Sequence, residues 1–162
     1  MDVVGIWSGG REPARVWKLR QSARVSQVYC ARGKGGIAEE AECLPADVKN
    51  IDGLVAVAER VRPDLTVVGP ELALSLGVVD EFTRRGWRIF GPSKAAARLE
   101  SSKSFAKEFL QRYHIPSAHF AICDSIDEVM AALPHFHAPV VVKADGLAAG
   151  KGGIICRTKE EA

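Results

Sequence analysis

The chain has 162 residues, 47% apolar and 26% charged, with a formal net charge of +2. This is an ordinary globular composition, enough for one domain or a small domain with part of another, and it points to no polyanionic partner such as nucleic acid. No apolar run approaches the roughly 20 residues of a membrane helix, the Met1-Asp2 start is not a secretory signal, and Cys30, Cys43, Cys123 and Cys156 form no Cys-x-x-Cys pair for zinc or redox work. They read as reduced packing thiols of a cytoplasmic protein.

Val3-Val4-Gly5-Ile6-Trp7 predicts a buried first strand, Ser8 to Pro13 a turn, and Ala14 to Gln21 a helix. Pro13 suits the first helical position, where its missing N–H costs nothing. Val16, Trp17 and Leu19 are expected to face the sheet. A glycine turn between strand and helix is where a doubly wound sheet holds phosphate. Gln27 to Cys30 predicts a second strand, and Arg32-Gly33-Lys34-Gly35-Gly36 a basic loop at its exit. Two such loops side by side favour phosphate contact over mere surface mobility.

Asp52 to Arg60 predicts a helix, with Leu54, Val55, Ala58 and Val61 on one stripe. Leu65 to Val68 is a further buried strand, closed by Gly69-Pro70-Glu71. Glu71, at a strand's carboxyl end, is placed either to meet a polar substrate or to cap the next helix. That helix is predicted from Leu74 to Arg85, with Leu76, Val79 and Phe82 inward and Gly86 as its stop. Arg88-Ile89-Phe90 is the fourth strand. Strict strand–helix alternation implies a parallel, right-handed α/β sheet.

Ser93 is expected to cap a short helix through Glu100, and Ser102 to begin another, on which Phe105, Phe109 and Tyr113 form a buried stripe. Lys103 and Lys107 share another face, the usual pattern of a solvated edge. Ala118 to Cys123 predicts a strand and Ile126 to Leu133 a helix. This last unit reads as the start of a second, smaller domain, with a boundary near residues 91 to 101. His135-Phe136-His137 has no third ligand nearby, so no metal site is assigned.

Val140-Val141-Val142 is a β-branched run read as a buried strand. Lys143 ends it, Gly146, Gly150, Gly152 and Gly153 follow, and Ile154-Ile155-Cys156 resumes a strand. Glycines let backbone N–H groups approach an anion closely, and Lys143 and Lys151 add charge. A flap over phosphates and an ordinary glycine-rich hairpin both fit. A P-loop does not, because Gly152 stands where Ser or Thr is needed and a strand follows instead of a helix.

The string Val141 to Gly152 resembles the nucleotide-binding hairpin of ATP-grasp enzymes, specifically the phosphoribosylamine–glycine ligase (glycinamide ribonucleotide synthetase) family. Further segments resemble that family in order: Ser8-Gly9-Gly10-Arg11-Glu12, Trp17-Lys18-Leu19, Asp64 to Glu71, Ile89 to Ala96, Leu99-Glu100 with Ser102-Lys103, Phe105-Ala106-Lys107 and Ile115 to Ala118. The resemblance spans the chain. It implies an α/β fold: a parallel Rossmann-like pre-ATP-grasp domain over residues 1–100, then the beginning of an ATP-grasp domain over 101–162.

By the same resemblance the activity is joining phosphoribosylamine to glycine with ATP, giving glycinamide ribonucleotide, ADP and phosphate in purine biosynthesis. The implied ATP-binding residues are Lys103, Lys143, Asp145, Gly146, Leu147, Ala148, Ala149, Gly150, Lys151 and Gly152. The implied substrate-binding residues are Ser8, Gly9, Gly10, Arg11, Glu12, Gly69, Pro70 and Glu71. Mg²⁺ or Mn²⁺ is the implied metal, with ligands expected beyond Ala162. On that basis the 162 residues are expected to be an amino-terminal fragment, inactive alone.

The sequence departs from the family at Trp7, usually glycine, at Pro13, usually histidine, at Arg32-Gly33-Lys34, at Ala73 and at Gly153. A tryptophan in a tight phosphate turn cannot easily take a glycine conformation. The alternative is therefore a non-catalytic, degenerate nucleotide- or partner-binding module. A dinucleotide-binding oxidoreductase is disfavoured by the glycine spacing of Gly5 to Gly10.

Overall fold

A computed structural model describes residues 1–7, 9–10, 12–33, 35–148 and 150–162. It divides into two compact units, Met1–Ala97 and Arg98–Ala162.

The first unit is built on five parallel strands: β1 (Asp2–Ile6), β2 (Gln27–Ala31), β3 (Glu42–Leu44), β4 (Leu65–Val68) and β5 (Ile89–Phe90), in the spatial order β3-β2-β1-β4-β5. The β-branched runs of β1 and β4 make the centre. Val3, Val4 and Ile6 are buried, and Ile6 registers with both Ala31 and Val68. Strands buried on both faces read as continuous apolar runs, which is why these were legible. Strand β3 was not expected. Three residues, two of them Glu42 and Cys43, carry no alternation to read.

Helix α1 (Glu12–Arg20) and a 3₁₀ turn at Gly35–Ile37 lie over one core, where Trp7, Val16, Val28, Cys30 and Ile37 pack together. Leu19 is half-buried against it, but Trp17 is 54% exposed, contrary to the expected inward stripe. With Val16 buried on this nine-residue helix, its immediate neighbour falls about 100° round and outward.

The other core joins α2 (Ile51–Val61) to the next helical segment. Leu54, Val55 and Ala58 are buried, as the spacing predicts, and Asn50 caps the helix by accepting from the Gly53 amide. The predicted helix Leu74–Arg85 is instead two: α3 (Glu71–Leu76) and α4 (Val78–Arg84), broken at Gly77 with φ +97°. The break turns Leu76 outward, leaving it 38% exposed, while Val78, Val79 and Phe82 are buried. The carboxylate of Glu81 accepts from Arg84 and Arg85.

Helix α5 (Lys94–Ser101) follows, with Ser93 Oγ accepting from the Ala96 amide. In the second unit, α6 (Lys103–Arg112) is capped by Ser102, whose Oγ accepts from Phe105 N. Phe105, Phe109 and Tyr113 do form a ring ladder, with centroids 6.5 Å and 4.6 Å apart, but the first two are only half-buried and Tyr113 is exposed. Residues 118–123 join no ladder among the described residues; the Ala118 carbonyl accepts from Lys107 Nζ at 3.1 Å instead. Helix α7 (Ile126–Ala132) leads to β6 (Val140–Lys143) and β7 (Gly153–Cys156), an antiparallel pair. Within this unit the pair is not buried as expected: Val141 is 50% and Ile155 71% exposed. The β-branched run dictates the strand, and burial needs a covering layer as well.

Candidate functional site

Two clusters carry the predicted site residues, one in each unit.

In a parallel sheet all strands end on one edge, and ligands bind where the strand order reverses direction. Here that point lies between β1 and β4, whose exits are Trp7–Glu12 and Gly69–Glu71. The Gly69 amide donates to the Ile6 carbonyl at 3.0 Å, so the two exits are zipped at their base. Gly9, Gly10, Glu12, Gly69, Pro70 and Glu71 are thus brought to one edge by β1 and β4; Ser8 and Arg11 lie outside the described residues, as does Lys34 of the neighbouring loop.

Trp7 does not occupy the turn as a strained residue. It is 0% exposed, lies in the α1-side core, and is absent from the positive-φ residues. Its ring lies over Gly5, where a Cβ would come within 2.3 Å of Cε3, and against Gly69, where a Cβ would meet Trp7 Cδ1 at 2.7 Å and Arg15 Nη1 at 2.5 Å. Gly5 on β1 and Gly69 at the exit of the adjacent β4 make the room. The expectation of a turn spoiled by bulk is therefore corrected: the indole is accommodated inward as core.

Glu12 begins α1 and is 8% exposed. Its Oε2 has no hydrogen-bond partner among the described residues, and neither has Trp7 Nε1. A Cβ on Gly9 would lie 2.9 Å from Oε2, so the carboxylate sits directly beneath the glycine turn. Burying a charge without a donor is costly. Such an oxygen suits an amine or hydroxyl of a ligand, and repels an anion.

The second cluster is the hairpin between β6 and β7. Ala144 N donates to Gly152 O, and Lys151 N to Ala148 O, both at 2.8 Å. Gly146 and Gly150 have φ +89° and +79°, backbone that side chains other than glycine's rarely adopt. Gly152 is glycine for space, since its Cβ would meet Ala148 Cβ at 2.5 Å. Ala149 lies outside the described residues. Lys143, paired with Gly153 at the end of β6, and Lys151 are exposed.

Lys103 is not a solvated edge: its Nζ donates to the Gly146 carbonyl at 2.6 Å. Asp145 accepts from Ser102 Oγ at 3.1 Å and from the backbone amides of Lys103 and Ser104. Burial pushes this carboxyl up, but bonds from Ser104 and the amides of Gly146 and Lys103 outweigh it and hold it at about 2. Asp145 therefore ties the hairpin to the amino end of α6. Sequence reasoning assigned Asp145 to nucleotide and missed Ser102 and Ser104 as its partners; Ser102-Lys103-Ser104 as a capping string was the available signal.

Residues 1–100 match the family model described as phosphoribosylglycinamide synthetase, N domain, and residues 101–162 that of the ATP-grasp (A) domain of the same synthetase. The chain is 53% identical over 164 residues to the phosphoribosylamine–glycine ligase of Xanthomonas campestris, covering 100% of this chain and 38% of that protein. It is 45% identical over 156 residues to the ligase of Clostridium acetobutylicum, covering 96% of this chain and 38% of that one. Among solved structures, Thermotoga maritima phosphoribosylamine–glycine ligase matches with a TM-score of 0.78 at 32% identity, over 99% of this chain and 37% of that chain. The biotin carboxylase domain of Hydrogenobacter thermophilus 2-oxoglutarate carboxylase matches with a TM-score of 0.79 at 19% identity, covering 99% of this chain and 38% of that one, and shares the fold. The α/β reading, with a pre-ATP-grasp sheet followed by the start of an ATP-grasp domain, stands, and the chain spans 38% of the length of these curated relatives. By sequence and by structure the chain belongs to the phosphoribosylglycinamide synthetase family.

Proposed function

We propose that this chain provides the phosphoribosylamine edge and part of the nucleotide hairpin of an ATP-dependent ligase that joins phosphoribosylamine to glycine. Residues 1–100 are the pre-ATP-grasp domain in this reading, and 101–162 the start of the ATP-grasp domain. What carries it is family membership together with a glycine hairpin that Asp145 ties to the amino end of α6 and that Ala144 N closes on Gly152 O.

The reaction transfers the γ-phosphoryl group of ATP to glycine's carboxylate, and the amine then displaces phosphate from the acyl phosphate. Bringing two anions together requires cations and backbone donors to offset their repulsion. Lys143 and Lys151, exposed at the hairpin, supply charge, and the glycines from Gly146 to Gly152 bring amides near phosphate oxygens and exclude water. Lys103 holds the Gly146 end. At the sheet edge, Gly9, Gly10, Gly69, Pro70 and Glu71 line the phosphoribosylamine side in this reading; Ser8 and Arg11 are assigned to it by the family resemblance alone. Glu12 Oε2, unpartnered among the described residues, accepts from the sugar's amine or a hydroxyl.

Magnesium accompanies ATP in this reading. Among the described residues no group of three or more His, Cys, Asp or Glu side chains is placed to hold a metal, so no step is assigned to one. No described helix is long and apolar enough to cross a membrane, and four free thiols fit a cytoplasmic site of action.

The test is phosphate release by the protein purified from its own source. Release that requires ATP, glycine and phosphoribosylamine together is expected. Tight ATP binding with no release when all three are present would instead favour a non-catalytic nucleotide-binding module.

A further inference from the structure

Cys30 and Cys43 are register partners on the adjacent parallel strands β2 and β3. Register partners direct their side chains to the same face, and neighbouring strands lie about 4.8 Å apart, inside the roughly 4.4–6.8 Å Cα separation a disulfide needs. The sulfurs also converge. The point a Cβ on Gly33 would occupy is 2.5 Å from Cys43 Sγ and 2.9 Å from Cys30 Sγ, so the sulfurs are no farther apart than those two distances end to end. Ile37 Cγ2 lies 2.8 Å from the same point. Both thiols are free; Cys30 is buried and Cys43 half-buried.

We propose that Cys30 and Cys43 form an oxidisable dithiol that closes reversibly under a peroxide, and that its state sets the position of the loop seated on it at Gly33. Cys43 is the sulfur a small oxidant can reach. Its thiolate attacks a peroxide oxygen: an S–O bond forms, the O–O bond breaks, and hydroxide leaves and is protonated to water. The Cys30 sulfur then attacks the Cys43 sulfur, and its proton departs with the hydroxyl as a second water. Two thiols lose two electrons and one peroxide becomes two waters. Burial and the neighbouring Cys43 push the Cys30 thiol up to about 12, and burial raises Cys43 as well, so the order of attack rests on exposure: Cys43 is half-buried and Cys30 buried.

The loop responds because it rests on both sulfurs. Gly33 packs against both sulfurs, and the Cys30 thiol donates to the Ala31 carbonyl at 3.8 Å. Bond formation draws the sulfurs to about 2.05 Å, which breaks the seat shared by Gly33 and Ile37. An effect on phosphoribosylamine follows only if the ligase reading holds, since it is that reading which puts the neighbouring edge to use.

The experiment treats the reduced protein with hydrogen peroxide, then measures intact mass, maps disulfides without reduction, and follows amide exchange over residues 33–41. The expected result is a loss of two hydrogens, a Cys30–Cys43 linked peptide, reversal by dithiothreitol, and a severalfold change in exchange across that segment. Cys43→Ser should abolish the change and the Cys123→Ser, Cys156→Ser double variant should keep it. Oxygen addition without linkage, or linkage through Cys123 or Cys156, would overturn the dithiol; linkage with unaltered exchange would overturn its hold on the loop. Ribose 5-phosphate bound in neither state would count against the ligase reading and leave the mapped disulfide as measured.

Discussion

Asp145 and Lys103 hold each other through different atoms: the Asp145 carboxylate accepts the Lys103 amide at 2.5 Å, while Lys103 Nζ reaches the next residue's carbonyl, Gly146 O, at 2.6 Å. One end of the glycine hairpin is thereby fixed to the first turn of α6. Beyond Gly150, whose φ of +79° is glycine backbone, the hairpin is closed by Ala144 N on Gly152 O and by the β6–β7 ladder.

Asp145→Asn should loosen that attachment. It keeps the shape but removes the negative charge from the helix amino terminus, at a cost of about 1 kcal/mol or less given the residue's solvent exposure. Amide exchange at Lys103 and Ser104 should accelerate. The folded carboxyl sits below its ordinary value, at about 2, so its contribution is present above the unfolded carboxylate range and is lost as pH falls towards about 2. An acid-unfolding curve of the variant should therefore converge with the native one at the acid end and separate above it.

Gly5 and Trp7 form a matched pair. A Cβ on Gly5 would lie 2.3 Å from the indole, and over-packing of this kind costs about 1–3 kcal/mol. Trp7→Gly, by emptying a fully buried position, should cost about 3–5 kcal/mol, as large-to-small aromatic truncations do. In a Trp7→Leu background, Gly5→Ala should be markedly less harmful. Denaturant titrations of the four proteins would measure that coupling; strict additivity would remove the contact from the account.

The two lysines separate by what they touch. Lys143 is exposed on the last residue of β6, and Lys103 is committed to Gly146. Lys143→Ala should weaken ATP binding by about tenfold or more, the loss of one charge-assisted bond, with an unchanged melting temperature. Lys103→Ala should weaken ATP binding and also speed amide exchange around Gly146. Calorimetric titration beside hydrogen exchange tells them apart, and unaltered ATP affinity in Lys143→Ala would take that lysine out of the site.

The central sheet was legible because β1 and β4 are β-branched runs that only a doubly covered strand explains, and the hairpin because its glycines recur between two apolar runs. What escaped had physical reasons. Strand β3 carries Glu42 and Cys43, which say nothing of a ladder supplied by Tyr29 to Ala31. Residues Leu74 to Arg85 keep a helical stripe through Gly77, whose φ of +97° appears only in the fold. The role of Asp145 depends on a partner 42 residues away, beyond any local spacing. Trp7 looked misplaced in the turn because the room made by Gly5 and Gly69 is a tertiary fact.

Glu12 offers the sharpest test of the sheet edge. Its buried Oε2 has no partner among the described residues, and a buried carboxylate oxygen left unpaired is costly. Groups kept in that condition are characteristic of binding sites, where a ligand completes what the fold leaves open. Glu12→Gln removes the charge and keeps the shape, so the melting temperature should hold or rise. Binding of the amine-bearing substrate, read as KM for phosphoribosylamine in the native enzyme, should worsen by about tenfold or more, since a bond to a charged acceptor is lost. A variant that melts earlier with an unchanged KM would make Glu12 a structural residue of α1, and the amine would then have to be held from Gly69–Glu71 instead.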